Sequence, residues 1–528
     1  MSKNVLKFIP FAMIAAMFLA PASFAFETNS NKTLSTTEID QLVEKAMKAF
    51  HVPGVAVGII KDGEVVHAKG YGVRHVGSEA PINEKTLFSI GSISKSFTVV
   101  ALVLLEEAGK LHLDDRVVDH LPNFRLYDSW VTREFRIRDL LIHNSGLGLG
   151  AGDLMFFPSQ GFSRSEIVHN LRYLKPVSSF RSKYAYDNLL YIVAGELISK
   201  VANMPYEQYV DTHILEPLGM DNCAADVSAL AKQNNIADPH ILKNGALQAT
   251  ERDVKLGSEV VFAAAGGLQC SVESTLKWHQ MFLSGGQLTS GEQFISTDMV
   301  SEILSPQTIM PLKADSRNWF GSSYSAYGLA WVLSDFHGYQ LAQHSGGLLG
   351  MLSLNAMVPS LNLGIVVYTN QQAGYARPAI MNQLLESFTV DSSVDWIAKL
   401  KARQQKQQKA LKAVTTSVGN VKYIPLKSLD TYKGAYKDSW FGIVHILEKD
   451  EGLYFQSQKS ERLKGRLIPL KEDIFIARWD DRTLNADAYV KFIPDFTGIP
   501  NRIEMKAVSP ATDFSFDFHD LNFKRVPG

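Results

Sequence analysis

The strongest constraint on the fold is a change in hydrophobic patterning near residue 390. Upstream of it, helix-like and strand-like apolar patterns alternate, with frequent Gly and Pro between them, which is typical of an α+β domain. Beyond Leu426 the chain consists of short runs of alternating apolar and polar residues separated by turn residues. These runs are residues 474–476, 489–492, 502–505 and 514–518. Period-two alternation in successive segments predicts an antiparallel sheet with one solvated face, closed into a small β-barrel.

Between these two patterns lies a basic, Gln- and Ala-rich stretch, from Val394 to Ala413, that favours a helix. It has little apolar surface, so we interpret it as a solvated linker helix. The sequence therefore predicts four segments. They are a leader over residues 1–25, an α+β domain over 26–390, a helical linker over 391–425 and a barrel over 426–528.

The leader has the order of a secretory signal peptide. Lys3 and Lys7 precede an apolar run from Phe8 to Ala20, and small residues then lead to Ala25. We predict cleavage after Ala25 and a periplasmic or secreted mature protein. The apolar run is short for a bilayer, so we expect no membrane span in the mature protein, and an uncleaved anchor is the alternative.

The charge balance excludes some classes of partner. The 528 residues contain 53 Lys and Arg against 54 Asp and Glu, so no net charge attracts nucleic acid or an acidic membrane surface. We therefore expect a small molecule or a peptide as the partner. The two cysteines are Cys223 and Cys270, and export would permit a disulfide. Their spacing does not require one, so we predict two buried free thiols.

The first candidate for chemistry is Ser92, which lies three residues before Lys95 at the start of an apolar, helix-like stretch. On a helix beginning at Ser92, both side chains share one face, and the hydroxyl lies at the positive end of the helix dipole. A lysine shielded from water has a lowered pKa and can take the serine proton. The spacing alone is not specific, because Ser274 and Lys277 repeat it on an ordinary amphipathic pattern.

A second motif, Tyr186, Asp187 and Asn188, directly precedes another apolar helix pattern. A phenol in this place can take or relay a proton. The Asn carboxamide can hold a substrate amide and accept a hydrogen bond from a lysine. Read alone the motif is weak, because an aromatic residue and a capping Asn are common at helix starts.

A third motif begins at His344 and continues through Ser345 to Gly346 and Gly347, between two strand-like runs. Glycines on an edge strand let a substrate backbone approach closely. The backbone N–H groups of such a strand can stabilise an oxyanion. A single His beside glycines would otherwise be an ordinary turn residue.

Together, and in this order, the three motifs resemble those of the serine beta-lactamase and penicillin-binding-protein superfamily, in particular its class C beta-lactamase-related serine hydrolases. Further stretches are similar to recurrent phrases of that family, at residues 140–147, 216–220, 265–268 and 327–331. The resemblance covers residues 26 to about 390. The barrel segment resembles, over 432–436 and 452–455, the lipocalin-like domain that follows some beta-lactamase-related peptidases.

The resemblance implies a two-lobed domain, one lobe helical and one built on an antiparallel sheet, with the active site in the cleft between them. It also implies a role for each motif residue. Ser92 would attack a carbonyl carbon, with Lys95 and Tyr186 sharing the base role. Asn188 would orient the substrate amide, and the backbone N–H groups of Ser92 and Gly347 would form the oxyanion hole. It calls for no metal or organic cofactor, and Tyr186 is the candidate for activating the deacylating water.

Beta-lactam-destroying members usually carry a Lys at the position of His344. By the resemblance, His344 would contact the leaving-group side of the substrate or a substrate carboxylate. An imidazole that is mostly neutral near pH 7 binds a penicillin carboxylate less strongly than a Lys ammonium does. Members with His here resemble D-amino-acid peptidases, D-alanyl-D-alanine carboxypeptidases and small-ester hydrolases, and we predict such an enzyme. A true beta-lactamase is the alternative. A catalytically inactive peptidoglycan-binding or assembly scaffold is the alternative of another class.

Three structural expectations remain. Asp187 stands where the family more often has a small residue, and we expect its carboxylate to point outward. The loop over residues 148–183, which contains Phe156 and Phe157, is predicted to wall the site. The barrel is a stability module, a cap over the cleft or a surface for homo-oligomer assembly, and the sequence leaves these three roles open.

Overall fold

The computed structural model describes residues 33–243, 245–418, 428–450 and 452–527. The predicted signal peptide therefore lies outside the described residues. Among the helices that the structure describes, none is both long and apolar enough to cross a membrane.

The chain forms the following elements. The helices are α1 Thr36–Phe50, α2 Ser94–Glu107, α3 Val117–His120, α4 Ser129–Glu134, α5 Arg164–Asn170, α6 Leu189–Ala202, α7 Tyr206–Val210, α8 Val272–Leu283, α9 Thr297–Ile303, α10 Ala314–Phe320, α11 Ala376–Thr389 and α12 Trp396–Val418. The strands before α12 are β1 Gly54–Lys61, β2 Glu64–Gly72, β3 Phe88–Ser89, β4 Cys223–Ala224, β5 His240–Lys243, β6 Ala246–Ala249, β7 Gln269–Cys270, β8 Thr308–Ile309, β9 Ser325–Tyr327, β10 Val332–Phe336, β11 Tyr339–Leu348, β12 Met351–Val358 and β13 Leu363–Thr369. The strands after α12 are β14 Gly434–Asp438, β15 Gly442–Lys449, β16 Gly452–Ser457, β17 Lys464–Lys471, β18 Ile474–Trp479, β19 Ala488–Pro494, β20 Pro500–Ala507 and β21 Asn522–Arg525.

An eight-stranded antiparallel sheet forms the centre of the α+β domain, in the order β2-β1-β13-β12-β11-β10-β9-β8. Helices α1 and α11 and the first turns of α12 cover one face, and α8 covers the other. Strands β12 and β13 are buried along their whole length, which explains why most of their residues are apolar, although β12 also carries Ser353 and Asn355. The predicted α+β architecture is confirmed.

A helical lobe packs beside this sheet and carries two of the three motifs. Helix α2 packs against α6 and against the π-helical turn Ala263–Gly267. Both helices are buried along most of their length, so their N-terminal ends are fixed relative to each other. Ser92 lies just before α2 and Asn188 just before α6, and packing of the lobe therefore brings these two motifs together.

A small three-stranded sheet, β3-β7-β4, lies directly beside the Ser92 segment. In it Cys223 pairs with Cys270 across β4 and β7, and the two residues form a disulfide. The prediction of two free thiols is wrong. The spacing of 47 residues held no indication of this pairing, because it depends on a strand contact between distant segments.

The C-terminal strands form a closed antiparallel barrel in the order β14 to β21, as the alternating runs predict. Buried and exposed residues alternate along these strands, for example along β17 and β19. The barrel is filled by aromatic and aliphatic side chains, which include Tyr436, Phe455, Phe475, Trp479, Phe492 and Phe523.

One run that we interpreted as a strand is not one. Residues 514–518 form a turn, in which Phe516 N donates to Asp513 O, followed by the short 3-10 helix Phe518–Asp520. The alternation of this run does not mark a solvated face, because the adjacent residues Phe516 and Asp517 are both buried against the α+β domain. The segment serves the interface between the two domains and not the barrel sheet.

Helix α12 occupies the predicted linker, but its first turns are not solvated. Trp396, Ile397 and Leu400 are buried against α1 and α11. Further along the helix, Arg403, Lys406 and Lys409 are exposed. The linker is thus anchored to the α+β domain at its start. Residues 419–425 of the predicted linker, and 426–427 of the predicted barrel segment, lie outside the described residues.

Candidate active site

Ser92 lies in the short 3-10 turn Gly91–Ile93 that leads into α2, and it is partly exposed in the cleft between the helical lobe and β11. Gly91 has φ +53°, and a Cβ on it would lie 2.7 Å from the Gly347 nitrogen. A Cβ on Gly346 would clash with the Ile90 carbonyl oxygen. The Ser92 turn and β11 are therefore in backbone contact that only glycines permit.

Lys95 lies one turn after Ser92, and its side chain is fully buried. Its Nζ lies 2.7 Å from Asn188 Oδ1, 2.7 Å from Ala265 O and 3.2 Å from Ser92 Oγ. Two of these three neighbours can only accept a hydrogen bond. When the amine is neutral, its two N–H bonds are therefore used by Asn188 and Ala265, and its lone pair is left for the Ser92 hydroxyl proton.

The electrostatic surroundings of Lys95 lower its pKa to about 7, because burial penalises the ammonium form. Asp153 and Asp187 oppose this effect and raise the pKa. The rings of Tyr186 and Tyr191 lie 4.9 Å and 5.2 Å from Nζ, measured to the ring centroids. The amine is thus close to half-neutral at physiological pH, which a general base requires.

Asn188 connects Lys95 to a carboxylate that the sequence analysis missed. Its Nδ2 donates to Asp153 Oδ2 at 2.8 Å, while its Oδ1 faces Lys95. An acceptor on one side and a donor on the other fix the orientation of the carboxamide. Asp153 lies in the 3-10 turn Asp153–Met155 of the predicted wall loop, outside any motif that could have revealed it.

Tyr186 places its phenol beside Ser92. Burial raises the pKa of this phenol well above its ordinary value, and the Ser92 hydroxyl lowers it in part. The ring lies against His143, with centroids 4.3 Å apart. The Asp187 backbone N–H donates to His143 Nδ1, and the Ala185 N–H donates to the His143 carbonyl oxygen, so His143 holds the Tyr186 segment in place.

Asp187 points inward and not outward, so that prediction is wrong. Its side chain is fully buried and accepts a hydrogen bond from the Leu189 N–H at the start of α6. Burial raises its pKa to about 7, and Lys95 lowers it in part. The unsatisfied N–H groups of the helix start attract the carboxylate and explain its orientation.

His344 lies on β11 near Tyr186, with ring centroids 6.2 Å apart. Both of its ring nitrogens are engaged: Nδ1 lies 2.8 Å from Ser345 O and Nε2 lies 3.0 Å from the Tyr327 hydroxyl. Nδ1 therefore carries the proton, and Nε2 accepts from Tyr327. Burial lowers the pKa of His344 to about 3, so the ring is neutral. Direct contact of this ring with substrate stays a prediction.

The β11 edge beside Ser92 has no strand partner among the described residues. The pairing of β10 with β11 extends only to Val332, the first residue of β10, which lies opposite Gln343, so residues 344–348 pair only with β12. Arg377 reinforces this edge from behind by donating to the carbonyl oxygens of Gly346 and Ser353. Gly347 is exposed next to the Ser92 turn, as an oxyanion donor must be.

The second Ser-x-x-Lys pair, Ser274 and Lys277, has a structural role. Ser274 Oγ accepts a hydrogen bond from the Asn222 N–H, and Lys277 donates to the Gly219 carbonyl oxygen. Both lie on α8, as the amphipathic pattern predicts. Two Ser-x-x-Lys pairs with the same spacing therefore have different roles. The residues that other segments place around each pair determine which role it has.

Comparison with known proteins gives two family matches. A family model described as Beta-lactamase matches residues 39–388. The chain belongs to the Beta-lactamase family. A second model, a domain of unknown function called DUF3471, matches residues 420–525. Because the match to the first model includes all motif residues, the enzyme is a serine hydrolase of the beta-lactamase fold.

Individual relatives agree with this assignment. The chain is 26% identical over 460 residues to "Unguisins hydrolase ungD'" of Aspergillus campestris, covering 83% of each protein. It is 26% identical over 356 residues to "Protein flp" of Staphylococcus aureus, covering 66% of each. An octameric penicillin-binding protein homologue from Pyrococcus abyssi has a similar fold, with a TM-score of 0.59 at 21% identity, and covers 93% of this chain and 100% of its own. A class C beta lactamase from Rhodobacter sphaeroides matches with a TM-score of 0.52 at 21% identity, over 66% of this chain and 98% of its own.

Proposed function

We propose that the protein is an exported serine hydrolase that forms an acyl-enzyme on Ser92 and acts on D-amino-acid peptides or small esters. The observation that supports this most directly is the environment of Lys95. Its amine is buried, has two fixed acceptors, and has Ser92 Oγ as the third neighbour at 3.2 Å.

In the acylation step, neutral Lys95 accepts the Ser92 proton while the serine oxygen bonds to the substrate carbonyl carbon. The N–H groups of Ser92 and Gly347 stabilise the oxyanion that develops. When the tetrahedral intermediate collapses, the bond to the leaving group breaks. The Tyr186 phenol gives its proton to the leaving group and receives the proton held by Lys95, which restores the neutral amine.

In the deacylation step, a water molecule attacks the acyl carbon. Tyr186 takes a proton from this water and passes its own proton to Lys95. The high pKa of the buried phenol makes it a relay and not a resident anion. Collapse of the second intermediate returns the proton from Lys95 to Ser92, and the enzyme is regenerated.

The neutral His344 supports peptides and esters over penicillins. A penicillin presents a carboxylate near the third motif, and a cation there would stabilise it. Burial lowers the pKa of His344 to about 3, which disfavours its charged form, and both of its ring nitrogens already have partners. A substrate panel tests the proposal: short acyl esters and D-alanyl peptides are expected to turn over faster than a chromogenic cephalosporin. Fast cephalosporin turnover would favour a true beta-lactamase.

Active-site labelling separates the enzyme from an inactive scaffold. A fluorescent serine-reactive phosphonate is expected to label the wild-type protein and to lose its labelling with Ser92→Ala. Ser274→Ala is the matched control, because it removes the same atom from the second Ser-x-x-Lys pair and leaves the cleft unchanged. Labelling that survives Ser92→Ala would reject the proposed nucleophile, and a wild-type protein that does not label would support the scaffold.

We also propose that the barrel mediates self-association. Phe496 and Ile499 are exposed at the turn between β19 and β20, where apolar side chains gain from being covered. The octameric homologue from Pyrococcus abyssi supports the idea. Light scattering coupled to gel filtration is expected to show an oligomer that Phe496→Ser weakens, and a monomer at all concentrations would contradict it.

A further inference from the structure

The segment over residues 513–517, which belongs to the C-terminal domain, reaches into the α+β domain next to the active site. Its Ser515 hydroxyl donates to Asp153 Oδ2 at 2.8 Å, and both groups are buried. Asp153 Oδ2 is the same oxygen that accepts from Asn188. A continuous path of hydrogen bonds thus runs from Ser515 through Asp153 and Asn188 to Lys95 Nζ.

We propose that Ser515 is a positioning residue for the Ser92–Lys95 pair and that it acts through Asp153 and Asn188. The C-terminal domain then contributes to catalysis by helping to orient the catalytic base. This inference rests on the proposed function, because it assigns to Ser515 the orientation of the base used there.

The same segment holds the Asp153 turn in two further ways. The backbone N–H groups of Gly152 and Leu154 donate to the Asp517 carboxylate, at 2.6 Å and 3.3 Å. Phe516 packs on Phe157, with ring centroids 5.1 Å apart. The residues on both sides of Asp153 are therefore fixed by the C-terminal domain, and Ser515 fixes the carboxylate itself. These hydrogen bonds all converge on the short turn that carries the Asp153 carboxylate.

The charges around this path determine the expected effect. Lys95 faces Asp153, Asp187, His143 and His344, and both histidines are neutral because burial lowers their pKa values. Asp153 also faces Asp517. Burial raises the pKa of Asp153 well above its ordinary value, and the hydrogen bonds from Asn188 and Ser515 oppose that rise.

Removal of the Ser515 hydroxyl consequently has two effects. Without the Ser515 hydrogen bond the Asp153 carboxyl binds its proton more readily, so it is less often negatively charged and stabilises the Lys95 ammonium form less. The pKa of Lys95 is expected to fall, on the order of half a unit. The orientation of Asn188 is also less well fixed, and kcat/KM for an ester substrate is expected to fall about tenfold.

The experiment compares Ser515→Ala with the wild type by two measurements. The first is the pKa of Lys95, from NMR titration of the protein with ¹³C-labelled lysine side chains, where the Lys95→Arg spectrum identifies the signal. The second is the pH profile of kcat/KM. The first measurement does not depend on turnover, so it answers the question even if the proposed activity fails. A purely structural role for Ser515 would lower stability without moving the Lys95 titration.

Three further variants complete the test. Ser515→Thr keeps the hydroxyl and is expected to restore both readouts. Ser515→Cys replaces the hydroxyl with a weaker hydrogen-bond donor of similar shape. Its Lys95 pKa and kcat/KM are expected to lie between those of the wild type and of Ser515→Ala. Ser460→Ala removes a buried hydroxyl elsewhere in the C-terminal domain and is expected to change neither. An unchanged Lys95 pKa in Ser515→Ala, or an equal shift in Ser460→Ala, would overturn the proposal.

Discussion

At the residue scale, Lys95 illustrates how burial makes an ordinary side chain a base. In water its amine would be protonated at pH 7, and a protonated amine cannot accept a proton from Ser92. Removal from solvent lowers its pKa to about 7, although two nearby carboxylates act against this. The neutral fraction is then large enough for catalysis, and the fixed acceptors direct the lone pair to the serine.

The buried base implies a specific pH dependence of acylation. The base must be neutral, so the rate should rise with pH and level off above the pKa of Lys95, with a midpoint near pH 7. Stopped-flow measurement of acylation by an activated ester checks this. Lys95→Arg stays protonated at every accessible pH and should react about 10²- to 10⁴-fold more slowly. A midpoint near pH 10 in the wild type would contradict the buried base.

At the scale of elements, the sequence could predict those site residues that belong to a motif of neighbouring residues. The pair Ser92 and Lys95, the start of α6 and the glycines of β11 each lie within a few residues, and the structure brings all three to one cleft. Asp153 was not predictable, since it has no local motif and acts only through contacts with Asn188 and Ser515. Helix and strand periodicity gave the architecture but not these long-range contacts.

The disulfide is a second feature that only element packing reveals. It joins β4 to β7, and β7 pairs with β3 just before the Ser92 turn. A crosslink restricts the unfolded chain, so the double variant Cys223→Ala, Cys270→Ala should be less stable by about 2–4 kcal/mol. Thermal unfolding with and without a reducing agent checks this.

The reducing agent supplies the control for that variant. Reduction should lower the melting temperature of the wild type toward that of the double variant and leave the variant unchanged. Free thiols in the oxidised wild-type protein, or no response to reduction, would show that the crosslink does not form.

At the scale of the whole molecule, the two domains are joined by polar contacts close to the cleft. Arg462 of the C-terminal domain pairs with Asp253, with Nη1 3.3 Å from Oδ1. Asp253 also accepts from the Leu349 N–H, directly after β11. The side chains of Arg462 and Asp253 are only 14% and 3% exposed, so this ion pair is shielded from solvent.

Loss of this pair should therefore weaken the domain interface. Arg462→Ala leaves the Asp253 carboxylate buried without its cationic partner and also removes the 2.7 Å pair of Arg462 with Asp481, which together should cost roughly 3–5 kcal/mol at neutral pH. The loss should shrink at acid pH, because protonation of Asp253 removes the buried charge. Thermal unfolding across pH checks both points. Arg466→Ala is the control, since its ion pair with Asp450 is 60% exposed on each side and should contribute little.

The central claim is that Ser92 carries the acyl group during turnover. Rapid acid quenching of the enzyme during reaction with a slow ester, followed by proteolysis and mass spectrometry of the peptides, locates that group. We predict an acyl adduct on Ser92 that appears and decays with turnover. An adduct on any other residue, or turnover with no covalent intermediate in a quench fast enough to trap one, would contradict the account.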